Sequence, residues 1–182
     1  MAILDKVIAA VTPPESDEER AEVRARARSV AGTGWLAMVL DHHVEIEDAF
    51  AAVKNAPSAA TRRAAQKRLA AILTGHSNAE ESVIYPAMAL NGEKTHSAKA
   101  YTEQSAAKVQ MSALEDLDPM SQDYLDKLEH IRGAVVHHMY EEEGTWFPEL
   151  REKVDATMQA KITRRYREEI ERYLSAEVEA AS

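Results

Sequence analysis

Two copies of one sequence pattern hold the residues best suited to chemistry in this chain. Each copy reads His, three residues, Glu-Glu, three residues and aromatic-Pro; the first copy begins at His76 and the second at His138. Glu80 and Glu142 follow these histidines by four residues. On an α-helix such a pair points to one side, with Cβ atoms about 5–6 Å apart. Each His–Glu pair can therefore bind one metal ion, or its glutamate can bridge two.

The setting of both pairs favours a metal site over a surface ion pair. A single His–Glu pair on an Ala-rich helix is typical of a solvated ion pair worth a few tenths of a kcal/mol. Here both pairs lie in phase with the apolar residues of their helices, and inward carboxylates without a cation are costly to bury. The core of a helical bundle is a known place for metal sites, and imidazole with carboxylate suits iron, manganese or zinc.

The remaining metal ligands must come from two other helices. His43 lies on the apolar face of its helix, whereas His42 lies about 100° away, so His43 is the predicted ligand and His42 the alternative. Glu47 is a further candidate ligand, although a solvated edge suits it better. On the third long helix, Gln104 occupies the place that corresponds to His43, and its neighbours Glu103 and Tyr101 could substitute as ligands.

Helices must position all these residues, because apolar residues recur at helical spacing and only 6 Gly and 6 Pro are present. Pro13-Pro14 ends a short first helix, and Asp118-Pro119 is interpreted as the N-cap and first residue of another. The pattern predicts helices over about 3–11, 17–30, 35–55, 58–90, 96–117, 119–154 and 155–178.

Four of these helices are long and joined by short links. This favours an all-α fold, an up-down-up-down four-helix bundle with extra N-terminal and C-terminal helices. We expect an N-terminal helical extension over 1–31, a metal-binding bundle over 32–154, and a C-terminal helix over 155–182 that docks on the bundle. One modest apolar face on this last helix favours docking over free projection.

Composition excludes several classes of protein. The chain has no cysteine, which excludes disulfides, thiolate metal ligands and iron–sulfur clusters. The formal net charge of −9 argues against nucleic acid or an anionic membrane as a partner, since both favour a basic face. The longest apolar runs are far too short to span a bilayer, and no targeting segment is visible. We therefore expect a cytoplasmic protein.

The motifs resemble those of the hemerythrin-like HHE cation-binding family over about residues 35–150. The resemblance rests on Asp41-His42-His43, on both His-x-x-x-Glu-Glu motifs and on both aromatic-Pro endings. Residues 102–108 are similar to the family's Glu-Glu-His segment, with Gln104 in place of the histidine.

This resemblance implies a non-haem di-iron centre with two iron ions per chain, joined by an oxo or hydroxo bridge. It implies His43, His76 and His138 as terminal ligands, and Glu80 and Glu142 as bridging carboxylates. The small ligands would be O2, peroxide or nitric oxide, which the protein binds or reacts with in sensing, carriage or detoxification. An enzymatic reaction with peroxide or O2 is one form that this function could take.

Three tyrosines lie in or near these motifs: Tyr85, Tyr101 and Tyr140. Each could donate a hydrogen bond or an electron near the metal, although packing in the core or at its rim is more typical of tyrosine.

The sequence leaves two other functions open. An iron storage or delivery protein is the first, but ferritin-like sites use Glu-x-x-His and the order here is His-x-x-x-Glu. A regulatory or structural bundle is the second, with a redox-silent metal such as zinc or with an incomplete site. Gln104 is the residue that favours the second function, because it leaves one iron with fewer imidazole ligands than the family's pattern supplies.

Overall fold

The computed structural model describes the backbone of residues 15–180 and the side chains of residues 15–173. Within this part the chain is helical, contains no strand, and has no helix that is long and apolar enough to cross a membrane. The helices are α1 (Asp17–Ala31), α2 (Trp35–Asn55), α3 (Ala59–Ala79), α4 (Tyr85–Leu90), α5 (Lys94–Ala113), α6 (Gln122–Glu141), α7 (Phe147–Lys153) and α8 (Ala156–Ala180). Two π turns, Glu80–Ile84 and Glu142–Trp146, join α3 to α4 and α6 to α7. The predicted helix over 3–11 lies outside the described residues.

Four long rods form the bundle: α2, α3 with α4, α5, and α6 with α7. Helix α2 packs along α3 and α6, while α5 packs on α4 and α6. Short links reverse the chain between rods, as Ala56-Pro57-Ser58 does between α2 and α3. The predicted all-α four-helix bundle is confirmed.

Two apolar clusters fill the bundle and leave a polar layer between them. One cluster includes Leu36 and Leu40 near the start of α2, and the other includes Ile46 and Phe50 farther along the same helix. His43 lies between these two sets and is fully buried. Apolar side chains therefore separate the layer of His43 from water at both ends of the bundle.

Helices α1 and α8 lie outside the four rods, and each contacts one π turn. Helix α1 packs against α2 and the second π turn, while α8 packs against α2, α3 and the first π turn. Two hydrogen bonds join α8 to the start of α2: Trp35 donates its backbone N–H to Thr163 Oγ1 at 2.9 Å and its indole Nε1–H to Gln159 Oε1 at 2.7 Å. The division of the chain into 1–31, 32–154 and 155–182 stays a prediction.

The start of α6 differs from the sequence interpretation. Asp118-Pro119 does not begin this helix, because α6 starts at Gln122 and the Ser121 hydroxyl accepts the backbone N–H of Tyr124. Asp118 instead closes a turn before the helix: its Oδ1 accepts the N–H of Met120, and its carbonyl accepts the N–H of Ser121. Aspartate favours such turns for the same reason that it favours N-caps, since its side chain competes for nearby backbone N–H groups.

Replacing Ser121 with alanine tests this assignment of the cap. The Ser121→Ala variant loses the hydroxyl that accepts a backbone N–H, so its free energy of unfolding should fall by about 1 kcal/mol in a urea titration. Asp118→Ala is the matched control, and it should cost less because its hydrogen bond lies in a turn outside the helix. A larger loss in Asp118→Ala than in Ser121→Ala would show that the helix starts as the sequence suggested.

Candidate metal centre

Four buried side chains bring their ligand atoms together in the polar layer. They are His43 from α2, His76 from α3, and Glu80 and Glu142, which begin the two π turns. One nitrogen or oxygen atom from each lies within 4.8 Å of those of the other three. The donor set of two imidazoles and two carboxylates is one that binds iron, manganese or zinc.

Three atoms of this cluster have no hydrogen-bond partner, although all are buried: His43 Nε2, Glu80 Oε1 and Glu142 Oε2. His43 Nε2 lies 3.4 Å from Glu142 Oε2 and 3.8 Å from Glu80 Oε1. An unpaired buried polar atom costs roughly 1–3 kcal/mol, and more when it is charged. A cation between these atoms would pair all three, so the residues present fit a metal ion here. We call this place position 1.

The other oxygen of each glutamate faces a second place, which we call position 2. Glu142 Oε1 lies 3.2 Å from His138 Nε2. The Tyr85 hydroxyl lies 3.1 Å from Glu80 Oε2, 2.8 Å from Glu142 Oε1 and 3.1 Å from His138 Nε2. Each glutamate therefore directs one oxygen toward His43 and the other toward the Tyr85 hydroxyl, an arrangement that suits a carboxylate between two cations. Glu80 Oε2 also lies 3.2 Å from His76 Nε2, so this imidazole borders both positions.

The π turns explain how both glutamates reach the centre. Each turn closes with a hydrogen bond over five residues: the Tyr85 N–H donates to the Glu80 carbonyl, and the Phe147 N–H donates to the Glu142 carbonyl. A proline follows each aromatic residue, and proline disturbs a regular α-helix because its ring crowds the carbonyl four residues earlier. The sequence predicts continuous α-helices here, whereas π turns of this kind are frequent at functional sites.

Two further carboxylates orient the histidines. Glu143 Oε1 lies 2.7 Å from His43 Nδ1, and Glu103 Oε2 lies 2.8 Å from His138 Nδ1. Each contact makes Nδ1 the donor and turns Nε2 of the same ring toward the centre, which is the arrangement that metal-binding histidines adopt. Arg24 of α1 donates its Nε–H to Glu143 Oε1 at 2.9 Å and so fixes this carboxylate in place.

The remaining candidate ligands lie outside the four-residue cluster. Glu47 pairs with Arg24 at 2.5 Å near the surface. His42 is half-buried, and its Nδ1 lies 2.8 Å from the Tyr166 hydroxyl of α8. Gln104 is buried beside position 2, where its Nε2–H group donates to Glu80 Oε2 at 2.6 Å.

The comparison with known families agrees with this centre. The sequence pattern of the Hemerythrin HHE cation binding domain matches residues 36–150 of the chain. The chain belongs to this family. Its HHE domain therefore covers the two repeated motifs and His43, which are the residues that build the centre.

Two known proteins are similar to this HHE protein. The crystal structure of an HHE cation binding domain-containing protein from Mycobacterium kansasii, a homologue of Rv2633c, has a TM-score of 0.70 and 21% identity, and the match covers 79% of this chain and 89% of that one. This likeness shows the fold. A protein named DNA nickase from Nostoc sp. is 27% identical over 84 residues, which are 46% of this chain and 24% of the relative. The chain thus matches about a quarter of that relative's length.

Electrostatics in the HHE domain favour a cation. Burial lowers the pKa of His138, but the carboxylates of Glu142 and Glu103 outweigh burial and raise this pKa to about 10. In the absence of a metal, a proton on the imidazole thus neutralises part of the buried negative charge. Burial and the nearby charge of His76 have the opposite effect on His42 and lower its pKa to about 4. His42 accordingly contributes no positive charge at neutral pH.

A small cavity adjoins the centre. Its volume is about 30 Å³. Apolar side chains that include Ile46, Leu73 and Val135 line it together with the polar side chains of His76, Ser77, Glu103, Gln104 and His138. About 10–15 Å³ measured in this way holds one water molecule. The cavity therefore has room for a water molecule or a diatomic gas, and its lining is largely apolar.

Glu81 and Glu143 are the second residues of the two Glu-Glu pairs. They give a matched test of whether a carboxylate beside a histidine strengthens metal binding. Glu143→Gln removes the negative charge that orients His43, so metal affinity should fall about 10–100-fold, as for other partners of metal-bound histidines. Competition with a chelator, on protein reloaded with a single metallic element, would measure this affinity.

Glu81→Gln is the control, because Glu81 occupies the same place in the first repeat but pairs with Lys108 at 2.6 Å. Its metal affinity should stay close to that of the unmodified protein. Equal losses in the two variants would mean that Glu143 acts only through general charge.

Proposed function

We propose that this chain is a non-haem di-iron protein that binds or reacts with O2, peroxide or nitric oxide, in sensing, carriage or detoxification. Glu80 and Glu142 are buried, and each has one oxygen at position 1 and the other at position 2. This arrangement supports a pair of metal ions. His43, His76, Glu80 and Glu142 would hold one iron, and His138 with the same two glutamates would hold the other. Iron held by imidazole and carboxylate supplies the redox chemistry that these small ligands require.

The cavity beside His76 and His138 is the observation that carries the choice of ligand. Its volume of about 30 Å³ admits a diatomic gas or peroxide, and a larger organic substrate does not fit in it. Its apolar side chains suit uncharged molecules such as O2 and nitric oxide. Gln104 also lines it, and the Oε1 atom of this buried amide has no hydrogen-bond partner. This oxygen can accept a hydrogen bond from a protonated ligand such as hydrogen peroxide.

The surrounding residues hold the centre ready without taking part in bond making. Glu103 and Glu143 keep the Nε2 atoms of His138 and His43 pointed at the centre. Apolar clusters above and below the polar layer exclude bulk water, which strengthens each electrostatic interaction inside. Small ligands thus meet a fixed and dry set of donors.

Other functions have less support. A storage protein needs room for many ions, whereas the repeated motifs build one compact centre. The name of the Nostoc relative suggests action on DNA, but a net charge of −9 opposes contact with a phosphate backbone. The two His-x-x-x-Glu motifs match the HHE family as a whole, so they give no support to an action on DNA.

Metal content and the absorption spectrum test this proposal. Protein purified without a metal-binding tag, from cells supplied with iron, should hold about two irons per chain, as in other di-iron carboxylate bundles. His76→Ala should lose iron from position 1 and change the iron absorption bands. His130→Ala is the control, because His130 is exposed on α6, eight residues before His138. Its iron content should not change.

Addition of nitric oxide or peroxide to the reduced protein should alter the spectrum of the unmodified chain and of His130→Ala alike. Zinc or no metal in the purified protein, despite iron supplementation, would contradict the proposal. That result would favour a regulatory or structural bundle.

A further inference from the structure

The two metal positions differ in a way that follows the internal repeat. Position 1 receives an imidazole from His43 on α2, and the matching residue on α5 is Gln104. The aromatic residue of the second motif is Phe147, which has no hydroxyl and packs edge-on against Trp35. The aromatic residue of the first motif is Tyr85, whose hydroxyl lies at position 2. The position that lacks a second imidazole is thus the one that has a phenol.

The Tyr85 hydroxyl lies where a metal ligand would lie. Two ligands at right angles on a metal with bonds of about 2.1 Å are about 3.0 Å apart. The distances from Tyr85 Oη to Glu80 Oε2, Glu142 Oε1 and His138 Nε2 are 3.1, 2.8 and 3.1 Å. The side chain of Tyr85 is fully buried, so water does not compete for these contacts.

Hydrogen bonding satisfies this group of atoms only when His138 carries a proton on Nε2. A phenol has one proton to donate, and Tyr85 faces two carboxylate oxygens, of Glu80 and Glu142. His138 Nε2 is a third acceptor when the ring is neutral, because Nδ1 then donates to Glu103. Gln104 Nε2–H donates to Glu80 Oε2 and the phenol can donate to Glu142 Oε1, so a neutral His138 Nε2 is left without a donor. One cation contacts all three atoms and Oη together.

The first π turn explains how Tyr85 comes to lie beside Glu80. In a regular α-helix a residue five positions later is rotated by about 140°. The hydrogen bond from the Tyr85 N–H to the Glu80 carbonyl closes a wider turn instead, and both side chains then reach position 2. Gln104 Nε2 lies 2.6 Å from Tyr85 Oη and 2.6 Å from Glu80 Oε2, and it can donate to both oxygens.

We propose that Tyr85 is a ligand of the metal at position 2, in place of the imidazole that Gln104 does not supply. Oη binds the metal, and the phenol proton is released to solvent. Gln104 is a positioning residue: it donates a hydrogen bond to Oη and so fixes the direction of the phenol ring. This inference rests on the proposed iron centre and adds a ligand that the second copy of the motif, with Phe147 at the same place, does not supply.

The test uses the full-length ferric protein and two tyrosine variants. The unmodified protein should show a visible phenolate-to-iron charge-transfer band and tyrosinate ring vibrations in the resonance Raman spectrum excited in that band. Tyr85→Phe should lose both signals and hold one iron instead of two. Tyr101→Phe is the matched control and should keep them, because Tyr101 packs edge-on against Tyr85 at 5.2 Å but donates its hydroxyl to the Glu81 carbonyl.

A third variant isolates the role of Gln104. Gln104→Leu has a side chain of similar size without the N–H donor, so the charge-transfer band should persist at a shifted energy. An unchanged band energy would show that Gln104 does not position the phenol of Tyr85. Far-ultraviolet circular dichroism of each variant would verify that the helical fold is intact.

Three results would overturn the inference. Two irons per chain without a phenolate band would remove Tyr85 as a ligand and leave the di-iron proposal standing. One iron in the unmodified protein, rising to two in Tyr85→Phe, would mean that the hydroxyl blocks position 2. Absence of iron from the unmodified protein would contradict both this inference and the proposed function.

Discussion

Two fully buried carboxylates, Glu80 and Glu142, are the constraint on which the rest of the structure depends. An ionised carboxylate in an apolar core is unstable unless cations or hydrogen-bond donors surround it. The bundle supplies His43, His76 and His138, yet one oxygen of each glutamate still has no partner. The centre therefore has more negative charge and more lone pairs than its own protons can satisfy, which is the condition that favours a metal ion.

The helices outside the bundle extend this network of contacts. Arg24 of α1 holds Glu143, which orients His43. Tyr166 of α8 places its hydroxyl 3.3 Å from Nδ1 of His76. Helix α1 thus fixes His43 through Glu143, and α8 contacts His76 directly. Loss of either helix should affect metal binding as well as stability, because a histidine ring that is free to turn binds metal less tightly.

The helical class and the repeated His–Glu pairs could be predicted because apolar periodicity and i, i+4 spacing are local properties of the sequence. The sequence predicts a helix start at Pro119, which is wrong, because α6 begins at Gln122. Asp118 and Ser121 can each serve as the N-cap, and only the three-dimensional turn decides between them. The place of Tyr85 could not be predicted from an α-helical phase, which rotates it away from Glu80. The Tyr-Pro dipeptide, Tyr85-Pro86, is the local signal for the π turn that brings them together. The contacts of Arg24 and Tyr166 link residues far apart in sequence, and no local pattern predicts them.

The arrangement of metals around the two glutamates is tested most directly by crystals of the iron-loaded protein. Anomalous diffraction at the iron absorption edge locates each iron without reference to the protein coordinates. Two peaks are expected, one beside His43 and His76 and one beside His138 and Tyr85, with Glu80 and Glu142 bound to both. Iron found only at the protein surface, or no peak between these two carboxylates, would contradict this arrangement.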